Sequence, residues 1–390
     1  MMAGALNGIK ILEIANYISG PFASMLLADL GAEVTKVEMP GQGDPFRGWG
    51  ENAYSPTFCN FNRNKRSITL NVQAPEGKEI GMRLARDADV VIENMRPGVL
   101  DRLGLGYEAV RAVNADVVYC SISGYGSEGP DRDRPGYDTI GQARGGLLSL
   151  LTDLDKGVGS PLSDLLTGMY ACYAIQAALI HRARGGGGQK VETSLLQATV
   201  AFVGENAARY LATGVVPDRN SRLREAQVYV FPGSDGLPFV IHMSSPQKFW
   251  HAVTRVIGRP ELKDDPRFVD RNGRFRNYDQ LHEILKEAFK RGPREHWLKL
   301  LDQHDVPAAP IMNLKEVLED PQVKHLGMLV EMSHPAMGAM RLVGSGIRMS
   351  ETPPQMGVPP PAIGEHTREI LARLGYGEDA VEDLRKKGVV

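Results

Sequence analysis

The segment Gly8-Ile9-Lys10-Ile11-Leu12-Glu13-Ile14 is a short apolar run, and Ser19-Gly20-Pro21 interrupts the chain shortly after it. Apolar residues then recur with helical spacing from Phe22 to Leu30, and a second strand-like run covers Val34–Glu38. A strand, a helix and a second strand in this order predict a βαβ unit.

The same alternation continues along the next 90 residues. Strands are expected at Ser67–Asn71, Val90–Glu93 and Val117–Ile122, and helical segments at Pro75–Arg86 and Val99–Val113. This order predicts an α/β fold, with a Rossmann-like, open and mostly parallel sheet in a large domain. Ligands of such sheets bind beyond the carboxyl ends of the strands, which places the loops at 16–20, 39–47, 94–98 and 124–138 near a site.

Beyond Gly214 the sequence changes from long helical segments to a polar, turn-rich segment. Two long helices, Asp164–Arg182 and Ser194–Leu211, precede the polar, turn-rich segment Pro217–Glu225, which reads as a linker. Two strand candidates and three amphipathic helices follow it, which predicts a smaller α+β domain that ends near Pro310.

The composition of the chain argues against several classes of function. The 390 residues carry 45 Lys and Arg against 47 Asp and Glu, so no basic field for nucleic acid is present and a small-molecule partner is expected. Cys59, Cys120 and Cys172 are far apart and lack metal-binding spacing, which argues against disulfides and against a metal site. No signal sequence or membrane span is recognisable, so we expect a soluble, cytoplasmic protein that does not bind membranes.

Two glycine-rich motifs resemble nucleotide-binding motifs but do not match them fully. Gly124–Gly129 matches G-x-G-x-x-G after a predicted strand, but prolines and charged residues follow where a helix should begin. A turn-rich loop near an active site is therefore favoured over a dinucleotide site. The run Gly185–Gly188 lacks the P-loop frame and is interpreted as a helix stop.

Basic residues cluster in the loops that should face the strand ends. Arg63, Lys65 and Arg66 precede one strand, while Arg96 with Arg102 and Arg132 with Arg134 follow two others. A phosphate-rich ligand needs such donors, but a solvated surface explains them equally well.

Asp164 enters an otherwise apolar helix in its first turn. There it would satisfy free N–H groups, and the helix dipole would keep it ionised, which favours a capping role. A carboxylate nucleophile also has to be charged and fixed in position. The local pattern therefore leaves both roles open.

Motifs spread over nearly the whole chain resemble those of family III coenzyme A transferases, a family that includes formyl-CoA transferase, carnitine-CoA transferase and α-methylacyl-CoA racemase. The matching segments are 8–13, 19–22, 27–38, 40–44, 62–68, 93–98, 136–138, 164–168 and 364–367. The combination is highly specific to that family.

The resemblance implies an acyl-CoA:carboxylate CoA-transferase in which Asp164 attacks the thioester and forms an aspartyl anhydride and then an aspartyl-CoA thioester. Capping would then keep this carboxylate charged. CoA is implied as a substrate, together with a small carboxylic acid, and no tightly bound cofactor is expected. The implied CoA contacts are Ile18, Ser19, Leu70, Asn71, Val72, Gln73, Asn94, Met95, Arg96, Arg102, Gly136, Tyr137 and Asp138, with Arg102 as the strongest phosphate donor.

Departures from the family pattern bear on the substrate. Tyr137 stands where the racemases have a basic histidine, and tyrosine has an ordinary pKa near 10, so racemase activity on a 2-methylacyl-CoA is the alternative rather than the first choice. Ile18 replaces the glutamine of formyl-CoA transferase, and the glycine-rich loop in the second domain of that enzyme is not recognisable here, which argues against oxalate–formate exchange. Met39 and Pro135 stand where that enzyme has basic residues, so part of the CoA contact set is expected to differ.

The resemblance also implies an interlocked homodimer. The large CoA-binding domain would then comprise residues 1–216 and a C-terminal return over 328–390, with the small domain at 226–310. A CoA-binding subunit of a heteromeric transferase is a further alternative, against which the intact Asp164 and its flanking Thr167-Gly168 argue.

Overall fold

The repeated strand–helix pattern folds as an α/β protein in a computed structural model that describes residues 4–50, 53–244 and 246–390. The chain divides into two compact units. One comprises residues up to 148 together with 156–207 and 322–390, and the other comprises 149–155 and 208–321. The predicted domain bounds themselves stay predictions.

Strands and helices alternate through the first half of the chain. The strands are β1 (Lys10–Ile14), β2 (Glu33–Glu38), β3 (Lys65–Thr69), β4 (Val90–Glu93), β5 (Val118–Ser123) and β6 (Gln189–Ser194). The helices are α1 (Ser19–Asp29), α2 (Pro56–Asn62), α3 (Pro75–Arg86), α4 (Val99–Leu103), α5 (Tyr107–Val113), α6 (Asp138–Arg144), α7 (Leu147–Leu151), α8 (Leu162–Ala183), α9 (Leu195–Phe202) and α10 (Gly204–Thr213). A short 3₁₀ helix covers Pro45–Trp49.

The first six strands form one sheet in the order β3-β2-β1-β4-β5-β6, and every neighbouring pair is parallel. The prediction of an open parallel sheet is confirmed. Strand order reverses between β1 and β4, because the chain builds outward from β1 in one direction and then from β4 in the other. Loops that leave these two strands diverge and open a crevice at their carboxyl ends.

Each face of this sheet has its own apolar core. Leu12, Val91 and Tyr119 point to one face, where α3, α5 and the last two helices of the chain cover them. Ile11, Val90 and Ile92 point to the other face, where α1 and α8 pack. Side chains of a strand alternate between faces, so a strand covered on both sides has to be apolar at almost every position.

The second unit contains a small antiparallel sheet. Its strands β7 (Val228–Pro232), β8 (Pro238–His242) and β9 (Ala308–Pro310) pair in that order. Its helices are α11 (Ser221–Ala226), α12 (Gln247–Val256), α13 (Arg271–Arg276), α14 (Tyr278–Phe289), α15 (Arg294–Gln303) and α16 (Leu314–Glu319), with a 3₁₀ helix at Pro260–Asp264. Helix α17 (Pro321–His325) begins at the last residue of this unit, and its other residues belong to the first unit. An aromatic core that includes Trp250, Phe231 and Phe289 lies between the sheet and the helices.

The C-terminal segment returns to the large unit. It forms the hairpin β10 (Leu329–His334) and β11 (Gly338–Val343) and then α18 (Thr367–Arg373) and α19 (Glu378–Lys386). Gly364 N–H donates to Ser67 Oγ at 2.8 Å, and Thr69 N–H donates to Thr367 Oγ1 at 3.0 Å. The tail therefore satisfies the outer edge of β3, which would otherwise expose unpaired backbone groups.

Three predicted elements differ from the structure. The helical segment Val99–Val113 is divided at Gly104, whose φ of +71° ends α4 in the left-handed conformation. The helix predicted from Ser194 to Leu211 is two helices that are interrupted at Val203. The linker Pro217–Glu225 contains the short α11.

The described residues contain no helix with both the length and the apolar character needed to cross a membrane. Cys59, Cys120 and Cys172 are all buried free thiols, as their spacing indicated.

A buried ionic network lies under the carboxyl end of β1. Glu13 accepts hydrogen bonds from Lys36 at 2.7 Å and Ser24 at 2.6 Å, and its second oxygen lies 2.8 Å from Lys65 Nζ. Lys36 also lies 2.9 Å from Asp44. Burial alone would raise the pKa of Glu13, but the two ammonium groups outweigh it and lower that pKa to about 2. Glu13 is therefore ionised in the folded protein at neutral pH.

We predict that Glu13→Gln destabilises the protein strongly. The change leaves two buried ammonium groups with less opposing charge, and breaking a buried ion pair costs about 3 to 5 kcal/mol. Urea unfolding at fixed protein concentration measures the change. Glu287→Gln breaks the exposed pair with Lys290 and is the matched control, with an expected cost below about 1 kcal/mol. Equal costs for the two variants would contradict the prediction.

Candidate active site

A cavity of about 240 Å³ opens at the reversal point of the sheet. The loop after β1 contributes Tyr17 and Ser19, and the loop after β4 contributes Asn94, Met95 and Arg96. The loop after β5 closes a further side with Gly124, Arg132 and residues 134–137, and Asp164 of α8 lies in the wall. Four loops or helix ends thus converge where the topology of the sheet opens a crevice.

Close packing of α8 against α1 sets the position of Asp164. A Cβ on Gly168 would lie 2.8 Å from the Ser19 carbonyl oxygen and 2.9 Å from the Phe22 ring, so only glycine fits there. Gly168 is one helical turn beyond Asp164 and lies on the same face of the helix. The side chain of Asp164 consequently reaches that of Ser19, with which it forms a hydrogen bond.

Asp138 holds the backbone of Asp164 in place through a hydrogen bond. Its Oδ1 accepts the Asp164 N–H at 3.1 Å, and its Oδ2 accepts from Gln142 Nε2 at 2.5 Å. The same Gln142 nitrogen donates to the Ser160 carbonyl oxygen at 2.9 Å. Asp138 therefore accepts a hydrogen bond from one of the free N–H groups at the start of α8, and this bond fixes the turn that carries Asp164.

The predicted capping role of Asp164 is wrong. No side chain caps α8, Asp164 is the third residue of the helix, and its own N–H is bound by Asp138. The expectation that the helix keeps this carboxylate charged is also wrong. Burial, and then the charge of Asp138, raise the pKa of Asp164 to about 7, although the hydrogen bond with Ser19 acts in the opposite direction. A carboxyl group that is half ionised near neutral pH is typical of a functional site.

Asn94 joins the ends of β1 and β4. Its Oδ1 accepts the Asn16 N–H at 2.9 Å, and its Nδ2 donates to the Asn16 carbonyl oxygen at 2.7 Å. Both polar groups of the side chain are thus used to hold the loop that presents Tyr17 and Ser19. Met95 and Arg96 follow directly and line the cavity.

The glycine motif after β5 forms a loop, as predicted. The Cα atom of Gly136 lies 3.1 Å from the position that a Cβ on Gly124 would occupy, so two backbone segments touch there. This contact brings Tyr137 against Tyr17, with the ring planes 87° apart and the centroids 6.1 Å apart. The first glycine of the motif therefore permits close approach within the site rather than the binding of a dinucleotide.

The structure brings part of the predicted site together. Ser19, Asn94, Met95, Arg96, Gly136, Tyr137 and Asp164 all line the cavity. Leu70 is buried in the apolar core, Asn71 donates its N–H to the Val389 carbonyl oxygen, and Val72 and Gln73 do not line the cavity. Arg102 and Asp138 do not line the cavity either: Arg102 lies beside Gly98, and Asp138 accepts the Asp164 N–H. The assignment of CoA contacts to these residues stays a prediction.

Two of the basic residues that were weighed as phosphate donors are structural. Arg63 forms a buried bidentate pair with Asp29, and Lys65 belongs to the network around Glu13. Both side chains are buried. Each one supplies the positive charge that a buried acid, Asp29 or Glu13, needs as a partner. Arg66 pairs with Glu369 at 2.5 Å at the surface.

A second, mainly apolar cavity of about 540 Å³ lies on the other side of the loop after β1. Ile18, which was predicted to contact CoA, lines this cavity together with Phe61 of α2, Leu342 of β11 and Pro161. Ile18 directly precedes Ser19, and Pro161 lies three residues before Asp164. The apolar cavity and the polar one thus flank the same short segment beside Asp164.

Two residues that the sequence analysis did not single out, Tyr17 and Glu93, belong to the site region, together with Arg132, which was weighed there as a phosphate donor. Tyr17 adopts a left-handed conformation with φ of +66°, which is uncommon outside glycine, and lines the cavity. Arg132 lines both this cavity and a neighbouring one of about 630 Å³. Glu93 lines the latter, and burial raises its pKa to about 7. The position of each residue at the end of a strand, or in the loop that follows a strand, was the available signal.

Among the described residues, no cluster of three or more His, Cys, Asp or Glu side chains has a geometry suited to a metal ion.

The sheet is open and parallel, and a carboxyl group with a pKa near 7 lies where its strand order reverses. This arrangement is typical of an enzyme that binds its ligand across the carboxyl ends of the strands. Residues 6–367 match the model of CoA-transferase family III. The chain is 39% identical to the succinyl-CoA:glutarate CoA-transferase of Mus musculus, over 99% of this chain and 90% of that protein. It is 33% identical to the succinyl-CoA–D-citramalate CoA-transferase of Chloroflexus aurantiacus, over 99% and 98%. The crystal structure of a CAIB/BAIF family protein from Brucella suis superposes with a TM-score of 0.84 at 35% identity and covers 96% of this chain and 100% of that one.

The chain therefore belongs to CoA-transferase family III, and it is a CoA-transferase. The resemblance seen in the sequence is confirmed.

We predict that Asp164 makes the stability of the protein fall as pH rises from about 4 to 7. Its pKa is about 7 in the folded state against 3.8 for an ordinary aspartate, so between these values the unfolded state has lost the proton that the folded state still holds, and the unfolding free energy falls as pH rises through this window. Relative to Asp164→Asn, the wild type should lose on the order of 3 kcal/mol of unfolding free energy across the window.

Urea unfolding of both proteins at half-unit pH steps measures this difference. Glu93, which titrates in the same range, is common to both proteins and cancels. A pH-independent difference between them would show that Asp164 has an ordinary pKa.

Proposed function

We propose that this protein moves CoA between an acyl-CoA donor and a carboxylic acid acceptor, with Asp164 as the nucleophile. The observation that carries the proposal is the carboxyl group of Asp164, which faces the cavity and has a pKa raised to about 7. A desolvated carboxylate of this kind is more nucleophilic than a hydrated one, and its pKa leaves a large ionised fraction at neutral pH. Family membership supports the same role.

The reaction proceeds through covalent intermediates on one side chain. An Asp164 oxygen attacks the thioester carbonyl, the C–S bond breaks, and an aspartyl anhydride and CoA thiolate result. The thiolate then attacks the aspartyl carbonyl, which releases the donor acid and leaves an aspartyl-CoA thioester. The acceptor carboxylate repeats these two steps in reverse order and regenerates the Asp164 carboxylate. No net proton or electron is exchanged, so the protein needs no tightly bound cofactor.

A dicarboxylic acid with an alkyl chain between its carboxyl groups, of about four to six carbons in all, is the proposed acceptor class. Relatives at 33 to 39% identity carry glutarate and D-citramalate in their names, with succinyl-CoA as the donor. The apolar cavity beside Ile18 supports an acid with a carbon chain, since its walls include Phe61 and Leu342. A very small, wholly polar acid such as oxalate would gain little from these walls.

A cytoplasmic homodimer is the proposed working form. On α8, Met169, Tyr173 and Ile180 are 56%, 71% and 53% exposed, and an apolar surface of this extent is typical of a subunit interface. Three buried free thiols suit a reducing compartment. Sedimentation equilibrium should give the mass of two chains, and a monomer at micromolar concentration would contradict this assembly.

We predict that Asp164→Ala abolishes transfer, with a loss of at least about 1,000-fold, because the covalent route is removed. Intact-mass spectrometry after incubation with succinyl-CoA should show an adduct on the wild-type peptide that carries Asp164 and none on the variant. Asp264→Ala, at an exposed position in the second unit, is the control and should retain full activity. Normal transfer by Asp164→Ala would refute the proposed mechanism.

A panel of acceptors separates the substrate class from the mechanism. With succinyl-CoA as donor, glutarate and other four- to six-carbon diacids should give higher kcat/KM than formate or oxalate. Preference for oxalate would overturn the acceptor class and leave the role of Asp164 intact.

A further inference from the structure

Three arginines near the cavity lack a counter-charge. Arg96 follows β4, Arg102 lies in α4, and Arg132 lies in the loop after β5. Among the described residues, none of their guanidinium groups forms an ion pair or a hydrogen bond with another side chain. All three are exposed to solvent.

Neighbouring arginines behave differently. Asp131 pairs with Arg134 at 2.9 Å and with Arg144 at 2.6 Å, so one of the two acids adjacent to Arg132 in the sequence is already occupied by two other guanidinium groups. These pairs neutralise part of the loop and leave the guanidinium group of Arg132 without an acidic partner in the part of the chain that the structure describes.

Arg102 and Arg132 converge over the backbone of Gly98. Arg102 Nη1 and Arg132 Nη2 each lie 3.3 Å from the point that a Cβ on Gly98 would occupy. Gly98 has φ of +79°, a left-handed conformation that favours glycine, and the absence of a side chain leaves the space between the two guanidinium groups open. Arg102 comes from α4 and Arg132 from the loop after β5, 30 positions apart in the sequence.

Two like charges so close together repel each other, and an anion between them would remove the repulsion. Paired guanidinium groups present planar arrays of N–H donors that match the oxygens of a phosphate group. Arg132 also lines the cavity that contains Asp164, so an anion at Gly98 lies at one end of the same cleft.

We propose that Arg132 and Arg102 form a two-arginine clamp across Gly98 that binds a phosphate group of CoA. The proposal rests on the proposed function, because CoA is the phosphate-bearing substrate there. Arg132 is the new element of the clamp, and its side chain completes a site to which Arg102 alone would contribute a single guanidinium group.

Isothermal titration of CoA into the full-length protein tests the clamp. Arg132→Gln should weaken CoA binding by about 10- to 100-fold, as expected for the loss of a charge-assisted hydrogen bond. Arg132→Lys should retain part of the affinity, because it keeps the charge and loses the bidentate geometry. Arg102→Gln combined with Arg132→Gln should weaken binding by less than the product of the single effects, since both groups hold one phosphate.

The matched control is Arg86→Gln, which removes the same charge from an exposed position at the end of α3 and should leave the affinity unchanged. Thermal unfolding confirms that Arg132→Gln is folded, as expected for an exposed side chain.

Two truncated ligands identify the phosphate. If the penalty of Arg132→Gln disappears with 3′-dephospho-CoA, the clamp binds the 3′-phosphate. If the penalty persists with 3′-dephospho-CoA and disappears with pantetheine, the clamp binds the diphosphate. Both results support the proposal.

Unchanged CoA affinity in Arg132→Gln, or an equal loss for CoA and pantetheine, would overturn the clamp and leave the proposed function standing. A wild-type protein that fails to bind CoA at all would overturn both.

Discussion

The charge cluster centred on Glu13 is the interaction on which the site depends. Lys36 donates to the Ala15 carbonyl oxygen at 2.7 Å, and Lys65 donates to the Pro21 carbonyl oxygen at 2.9 Å. These two carbonyl groups bracket the loop that carries Tyr17 and Ser19. Each lysine thus connects Glu13 to one end of that loop, and the loop is held at both ends from inside the protein.

The cluster extends toward the rest of the large unit through neighbouring acids. Asp44 contacts Lys36, and Glu38 forms a bidentate pair with Arg47 at 2.7 and 2.8 Å. Arg47 in turn donates to the Pro361 carbonyl oxygen, which belongs to the C-terminal segment. Burial lowers the pKa of Lys65 to about 8, even though Glu13 opposes this effect, so the charge of the network depends on its complete set of partners. Such networks favour one arrangement of the loop, which a site with a fixed nucleophile needs.

The parallel sheet was predictable because strand-like and helical segments alternate along the first half of the chain, and because the central strands β1 and β4 are mostly apolar. The location of the site followed from the topology, since the loops after β1 and β4 must diverge. The state of Asp164 did not follow, because its pKa is raised first by burial and then by Asp138, which lies 26 residues away in sequence and beside it in space. Arg63 and Lys65 resembled ligand donors for the same reason, since their acidic partners Asp29 and Glu13 are remote in the chain. Pairwise contacts of this kind leave no local periodic signal.

The return of the chain to the outer edge of β3 has a consequence for biosynthesis. Thr367 and Val389 supply hydrogen bonds to Thr69 and Asn71 across about 300 residues of intervening sequence. During translation the first βαβ units emerge early, whereas the segment that covers their open edge emerges last. The nascent sheet therefore exposes an unpaired strand throughout synthesis of the second unit, which makes this edge the natural point for chaperone protection and for mispairing between chains.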